Sequence, residues 1–236
     1  MPSQSELLWD LGLKEELIGI TKFCIHPGDM YETVDRIGGT KQLHLEKIKN
    51  LKPDLIIGNK EENEKEHIEA LRKEFPVWLS DVNTLDEAMM MIGSVGEMTG
   101  KEKEANELAA SIRTEFKKIG RENLKGKTVI YLMWYDPLMA AANHTFINAM
   151  INELGLVNAC DHLTRYPELT LDQIKEIGPD YIFLSIKPFP FSHKHMAQIN
   201  DACSRSKVVF VDGEMFSWYG SRLKLAPLYF AKLFEM

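Results

Sequence analysis

Two stretches of the chain repeat one pattern: LEKIKNLKPDLIIG at residues 45–58 and LDQIKEIGPDYIFL at residues 171–184. Each places a leucine, an acid, an isoleucine and a lysine at helical spacing, then Pro-Asp (Pro53-Asp54 and Pro179-Asp180), then an apolar run. Proline disfavours a helical conformation in the residue before it, so each helix is predicted to stop there. The run that follows has the length and flanks of an interior strand. A second echo lies upstream of each copy, Leu11-Gly12-Leu13 before the first and Leu154-Gly155-Leu156 before the second. Helix–turn–strand units in α/β proteins can look alike by chance, but two echoes in the same order favour two similar α/β lobes.

At 236 residues the chain can form one large domain or two small ones. With 44% hydrophobic and 27% charged residues it has the composition of a globular protein with real cores. A net charge of −7 argues against a nucleic-acid partner, which needs a dense basic surface. No stretch approaches the roughly 20 apolar residues of a membrane helix, and no basic-then-apolar leader is visible. Periplasmic or membrane-anchored localisation is expected if a leader lies upstream, and cytoplasmic otherwise. Cys24, Cys160 and Cys203 are widely spaced and odd in number, which argues against a disulfide framework or a thiolate zinc site.

The rest of the chain alternates helix and strand. A helix capped by Ser3 and Glu6 ends near Gly12; residues 17–22 read as a strand, and a loop with Cys24, His26 and Tyr31 follows. Helix 64–73, strand 76–82 and a helix from Thr84 to about Gly100 complete the first half. From 101 to 123 the chain reads as one charged helix with Ala105, Leu108, Ile112, Phe116 and Ile119 on one stripe; about 20 residues of helix span roughly 30 Å. In the second half, Thr128–Trp134 is a strand, 135–144 a loop, 145–154 a helix, 181–186 a strand, 193–204 a helix, 207–212 a strand and 221–234 a final helix. The expected domains are residues 1–100, a connecting helix 101–123, and residues 124–236.

Parallel sheets bind ligands beyond the carboxyl ends of their strands. The loops at those ends hold Cys24, His26 and Tyr31; Asn59; Trp134 and Tyr135; Phe189 and Phe191; and Trp218, Tyr219 and Arg222. Any one of these rings could simply cap a core. As a set, such large flat side chains suit a large, flat, partly apolar ligand. Catalytic signatures are missing: Gly93-Ser94-Val95-Gly96 lacks the spacing of a nucleophile elbow, and the glycines of 96–101 fall one short of a phosphate loop. His193 and His195 would point apart at the start of a helix and read as solvated. Cys24 with His26 could ligate a soft metal, though a buried structural cysteine is the plainer reading.

The chain resembles the class III, helical-backbone periplasmic binding proteins of ABC importers for cobalamin, haem and iron–siderophores. The resemblance rests on Pro2-Ser3-Gln4-Ser5-Glu6-Leu7-Leu8, Gly38-Gly39, Leu51-Lys52-Pro53-Asp54-Leu55-Ile56-Ile57, the long helix, and Trp218-Tyr219-Gly220-Ser221-Arg222. It covers essentially the whole chain, and within the group the likeness is strongest to the cobalamin-binding members. It implies two Rossmann-like α/β lobes with mainly parallel sheets, joined by one long rigid helix, with the ligand in the cleft between them and no enzymatic activity. It also implies a monomer that needs no cofactor of its own, takes a large cobalamin-like ligand and docks on an ABC permease through acidic residues, here Glu61, Glu62 and Glu64. The alternatives are a haem or siderophore receptor, a direct transition-metal receptor using Cys24 and His26, and a cytoplasmic metallochaperone or enzyme. Two departures stand out: Lys187 occupies the place where the second lobe of such proteins usually presents an acid, and the first strand that normally precedes Pro2-Ser3 is not seen.

Overall fold

The computed structural model describes residues 1–120 and 122–234; Arg121, Glu235 and Met236 lie outside the described residues. The fold is α/β, and the chain clusters into two compact units. Unit 1 comprises Met1–Val82, Asp86–Ser111 and Trp218–Leu223; unit 2 comprises Asn83–Leu85, Ile112–Ser217 and Lys224–Met236.

Unit 1 begins with α1 (Pro2–Asp10), followed by α2 (Gly28–Thr33), α3 (Leu45–Leu51), β1 (Ile56–Asn59), α4 (Lys65–Arg72) and β2 (Val77–Ser80). α5 (Leu85–Thr99) buries Ala88, Met89, Ile92 and Val95, the stripe read from the sequence, while Met98 is partly exposed. α6 (Glu102–Lys117) follows after Gly100, which turns at φ +68°. β1 and β2 form a parallel pair in the register Ile56↔Val77 to Asn59↔Ser80.

Unit 2 contains β3 (Thr128–Trp134), β4 (Leu138–Ala141), α7 (Phe146–Glu153), β5 (Val157–Asn158), β6 (Glu168–Leu169), α8 (Leu171–Ile177), β7 (Tyr181–Ser185), α9 (His193–Ala202), β8 (Lys207–Val211), α10 (Gly213–Ser217) and α11 (Ala226–Phe234). Its six-stranded sheet runs β6-β4-β3-β7-β8, with β5 also on β3. β3 pairs parallel with β5 and β7, and β7 with β8; β4 is antiparallel to both β3 and β6. Ile130, Leu132, Ile182 and Leu184 are fully buried on this sheet and pack against Ile174 and Ile199 of the covering helices.

Both repeat copies form as read, α3 into β1 and α8 into β7, and their turns match in detail. Lys52 (φ 49°, ψ 57°) and Gly178 (φ 59°, ψ 53°) occupy equivalent places and both close their helix in the left-handed region, not the extended one that a following proline favours. Gly12 (φ 84°) and Gly155 (φ 77°) of the second echo match in the same way.

Several elements differ from the sequence reading. Ser3 and Glu6 cap nothing: Met1 is the N-cap of α1, and Glu6 is drawn to Arg222 instead. Residues 17–22 form no strand, because Ile20 has only an isolated parallel bridge to Arg36 and no ladder on its other side. The helix expected over 101–123 ends at Lys117 (Arg121, within that span, lies outside the described residues). The loop expected at 135–144 contains β4, which turns back onto β3 across a register shift between Leu132 and Trp134. The helix expected over 221–234 is a 3₁₀ turn, Ser221–Lys224, and then α11.

Candidate ligand site

In unit 1 the carboxyl ends of β1 and β2 are tied together by buried side chains. Gln4 Nε2 donates to Ser80 Oγ (2.7 Å) and to the Gly58 carbonyl (3.2 Å). Asn59 Nδ2 donates to Ser80 Oγ (3.1 Å), while its Oδ1 accepts from the amides of Glu61 (2.9 Å) and Glu62 (3.1 Å). Such side-chain-to-backbone bonding folds a loop back on itself. Asn59 is thereby committed to shaping the 61–64 loop. Tyr219 is also buried; burial, with Glu62 and Glu61 nearby, pushes its phenol up, opposed by hydrogen bonds to Ser80 and Ser3. Cys24 is fully buried, its Sγ donating to Ser5 Oγ (3.3 Å) and lying 3.2 Å from Thr21 Oγ1. These three residues belong to the interior of unit 1.

Three other residues of unit 1 form one connected group. The His26 ring meets the Trp218 ring edge-on at 5.8 Å, and the Arg222 guanidinium lies 5.0 Å from the Trp218 centroid. Arg222 also grips Glu6 with two parallel bonds, from Nε to Oε2 (2.8 Å) and from Nη2 to Oε1 (2.7 Å). A fork-to-carboxylate pair fixes both partners in orientation as well as charge. Burial raises the Glu6 carboxyl above its ordinary value, and the bond to Arg222 pulls it back. Tyr31 is exposed, with the Arg36 guanidinium 5.1 Å from its ring centroid.

The 61–64 loop carries the three acids singled out above. Glu64 is exposed at the N-cap of α4. Burial, then the neighbouring charge of Glu61, raises the Glu62 carboxyl.

In unit 2, β3 and β7 lie side by side and parallel, so the residues that follow them emerge at the same end of the sheet. There Trp134, Tyr135, Phe189 and Phe191 assemble into one cluster. Phe189 lies 5.4 Å from Trp134, 6.1 Å from Tyr135 in a stacked arrangement and 4.9 Å from Phe191. Trp134 is 40% exposed and Phe191 only 6%, so the cluster is rooted in the core and open at Trp134. Centroid separations of about 4.5–7 Å are those at which rings attract by edge and offset contacts.

Sequence reasoning missed a fifth ring. His195 sits 4.5 Å from Tyr135 and 5.3 Å from Phe189. Its Nδ1 accepts the Ser192 amide (3.0 Å), which places the proton of a neutral ring on Nε2. The signal was present: Ser192 stands three residues ahead of His195, the spacing of a capping interaction. Tyr135 is held further by its hydroxyl, which donates to Gln198 Oε1 (2.9 Å).

Lys187, also beyond β7, is anchored. Its Nζ binds the Glu214 carboxylate, whose side chain is 5% exposed. Its carbonyl accepts from Ser185 Oγ, which in turn accepts from the Tyr131 hydroxyl (2.9 Å). Among the described residues no three of His, Cys, Asp and Glu gather as a metal site. No helix among the described residues is long and apolar enough to cross a membrane.

Comparison with known proteins places this geometry among relatives. The family model described as Periplasmic binding protein matches residues 1–202. The uncharacterized ABC transporter substrate-binding lipoprotein YvrC of Bacillus subtilis (strain 168) is 27% identical over 237 residues, which cover 94% of this chain and 74% of that one. The crystal structure of the periplasmic vitamin B12 binding protein BtuF of Vibrio cholerae superposes with a TM-score of 0.79 at 20% identity, covering 100% of this chain and 94% of that one. The periplasmic heme-binding protein RhuT of Roseiflexus sp. RS-1 gives 0.84 at 20% identity, covering 98% and 96%. At these identities the two superpositions show a shared fold.

Proposed function

Because the chain belongs to the periplasmic binding protein family, we propose that it is the substrate-binding receptor of an ABC importer, that it is not an enzyme, and that its ligand is a large, flat metal chelate, a corrinoid of the cobalamin type. The observation that carries this reading is the aromatic cluster beyond β3 and β7, open at Trp134 and rooted at Phe191. Such a surface supplies broad apolar contact without a metal ligand of its own. In unit 1 the Trp218 ring is flanked by His26 and Arg222.

Haem is the second reading, since haem iron takes a His or Tyr axial ligand. His26 and Tyr31 are the candidate side chains of those types in unit 1. His195 fits poorly, because the Ser192 amide occupies its Nδ1, where a ligating imidazole instead donates a hydrogen bond from the nitrogen that does not bind iron. A ferric siderophore with acidic chelating groups wants free basic side chains, whereas Arg222 is paired with Glu6 and Lys187 with Glu214.

Docking on a permease is assigned to the 61–64 loop, with Glu64 the exposed acid and Glu61 beside it. In unit 2 Lys187, paired with the buried Glu214, stands where an acid would be expected, so this reading gives the contact an asymmetric charge pattern at that position. Localisation outside the cytoplasm, free or lipid-anchored, follows from the same assignment.

The test is a spectral titration of purified protein with cyanocobalamin, haemin and a ferric siderophore. The reading expects cobalamin to bind tightest, in the micromolar range or below. If none of the three binds more tightly than about 1 mM, roughly −4 kcal/mol, the receptor assignment fails. If haemin wins and Tyr31→Phe or His26→Ala shifts its spectrum, the corrinoid assignment gives way to haem.

A further inference from the structure

β7 ends at Ser185 and Ser192 is already the N-cap of α9, so a short loop must deliver Phe189 and Phe191 to the ring cluster of unit 2. The Ile186 amide makes the last bond to β8, donating to the Val211 carbonyl (3.0 Å). From there Ile186, Lys187, Pro188 and Pro190 are exposed, yet Phe189 has to reach ring contact with Trp134, Tyr135, Phe191 and His195 at once. The Phe191 amide donates to the Phe189 carbonyl (2.9 Å), which shapes the loop but does not fix it to the sheet. The residue that does so is Lys187.

Lys187 is held twice. Its carbonyl accepts from Ser185 Oγ, which is fully buried and accepts in turn from the Tyr131 hydroxyl of β3 (2.9 Å). Tyr131 is buried too, and burial raises its phenol, so it remains a donor. Gly213, the first residue of α10, packs on the same two groups: a Cβ there would collide with Ser185 Oγ and with the Lys187 carbonyl. The second hold is the side chain, whose Nζ binds the Glu214 carboxylate. The Glu214 amide donates to Asp212 Oδ1 (3.0 Å), and the Asp212 amide donates to the Tyr229 hydroxyl of α11 (2.7 Å). One loop residue is thus tied to β3 through Tyr131 and to α10 and α11 through Glu214 and Asp212.

An ion pair between two exposed side chains contributes little. This pair is of another kind, because the Lys187 side chain is 47% exposed while that of Glu214 is 5%. A carboxylate taken out of water is costly unless a cation and hydrogen bonds meet it, so Lys187 is obliged to bend back over α10. We propose that Lys187 and Glu214 are positioning residues for the ring cluster: their pair fixes the loop beyond β7 so that Phe189 stands preformed between Trp134, Tyr135 and Phe191. The pair sets geometry more than stability. Its consequence for ligand affinity rests on the receptor reading given above. The same assignment accounts for a lysine in the place where an acid is usual, since an acid there would face the Glu214 carboxylate.

The test uses the full chain and two variants, Lys187→Met and Lys187→Met combined with Glu214→Leu. The single variant should melt lower, and the double should recover wild-type melting because no buried carboxylate remains at the site. Both should bind the tighter of cyanocobalamin and haemin about tenfold more weakly than wild type, and the double should stay weak although its stability returns. Without ligand, hydrogen exchange in the double variant should speed about tenfold at the Phe191 amide and keep the wild-type rate at Ile182 and Leu184 of β7. Affinity that recovers along with stability, an unchanged Phe191 amide, or equal acceleration along β7 would each overturn the assignment. If wild type binds neither probe, the receptor reading fails, and the exchange result still decides whether the pair positions the rings. Should Lys187→Met not fold, the double variant carries every comparison alone.

Discussion

Lys52 and Gly178 hold the same left-handed conformation at the same place in the repeat, yet only one is the residue suited to it. A side chain in that region is strained by roughly 1–2 kcal/mol, part of which glycine gives back through greater freedom in the unfolded chain. Lys52→Gly is therefore expected to stabilise unit 1 by about 0.5–1 kcal/mol, read as a rise in urea midpoint with unchanged slope. Arg222 should behave in the opposite way. Arg222→Ala strands Glu6 in a site where its side chain is 11% exposed, and a loss of about 3 kcal/mol is expected. A double replacement of Glu6 and Arg222 by methionine should recover most of that loss in thermal melts, because burial without a partner, not the missing attraction, is the larger penalty.

At the scale of elements, the Asp180 side chain ties the turn between α8 and β7 to the start of β3. The Thr128 amide, then Lys127 and the Thr128 hydroxyl, lower the Asp180 pKa below its ordinary value of 3.8. A carboxyl lowered in the folded state contributes stability above its unfolded pKa and loses it as pH falls through the folded one. Wild type should thus shed stability below about pH 4 more steeply than Asp180→Asn, as followed by acid titration of circular dichroism. On the proposed ligand assignment, Trp134→Ala should weaken the flat ligand about tenfold, near 1.4 kcal/mol, with little change in melting temperature because Trp134 is the exposed member of the aromatic cluster.

Those same elements show what sequence can convey. The repeat was legible because helix, left-handed stop, Pro-Asp and buried strand are each written in local residue choice. β4 was not, because Leu138, Met139, Ala140 and Ala141 carry no β-branched residue and become a strand only by folding back on β3. The four rings of unit 2 were found by their place after strands, whereas His195 was missed because helical periodicity says nothing about a side chain that caps its own helix. Asn59 stands after β1 as expected, but its side chain turns inward to the amides of Glu61 and Glu62 and to Ser80, an orientation that its position alone does not convey.

At the scale of the whole molecule, unit 1 is not a continuous segment. Trp218–Leu223 belongs to it, although the residues on either side belong to unit 2. Gly220 packs so closely on the Ser3 carbonyl that a Cβ there would collide with it, and Arg222 holds Glu6 across 216 positions of sequence. Consequently a ribosome making this chain from its first residue cannot release a finished first unit until nearly the whole sequence has emerged. Nascent chains stalled before Trp218 has left the exit tunnel should have α1 still cleavable by protease, and a C-terminal linker of some tens of residues that brings Leu223 clear of the tunnel should close α1. An order of assembly in which the start of the chain waits for its end keeps Glu6, Trp218 and Arg222 apart until synthesis is all but complete.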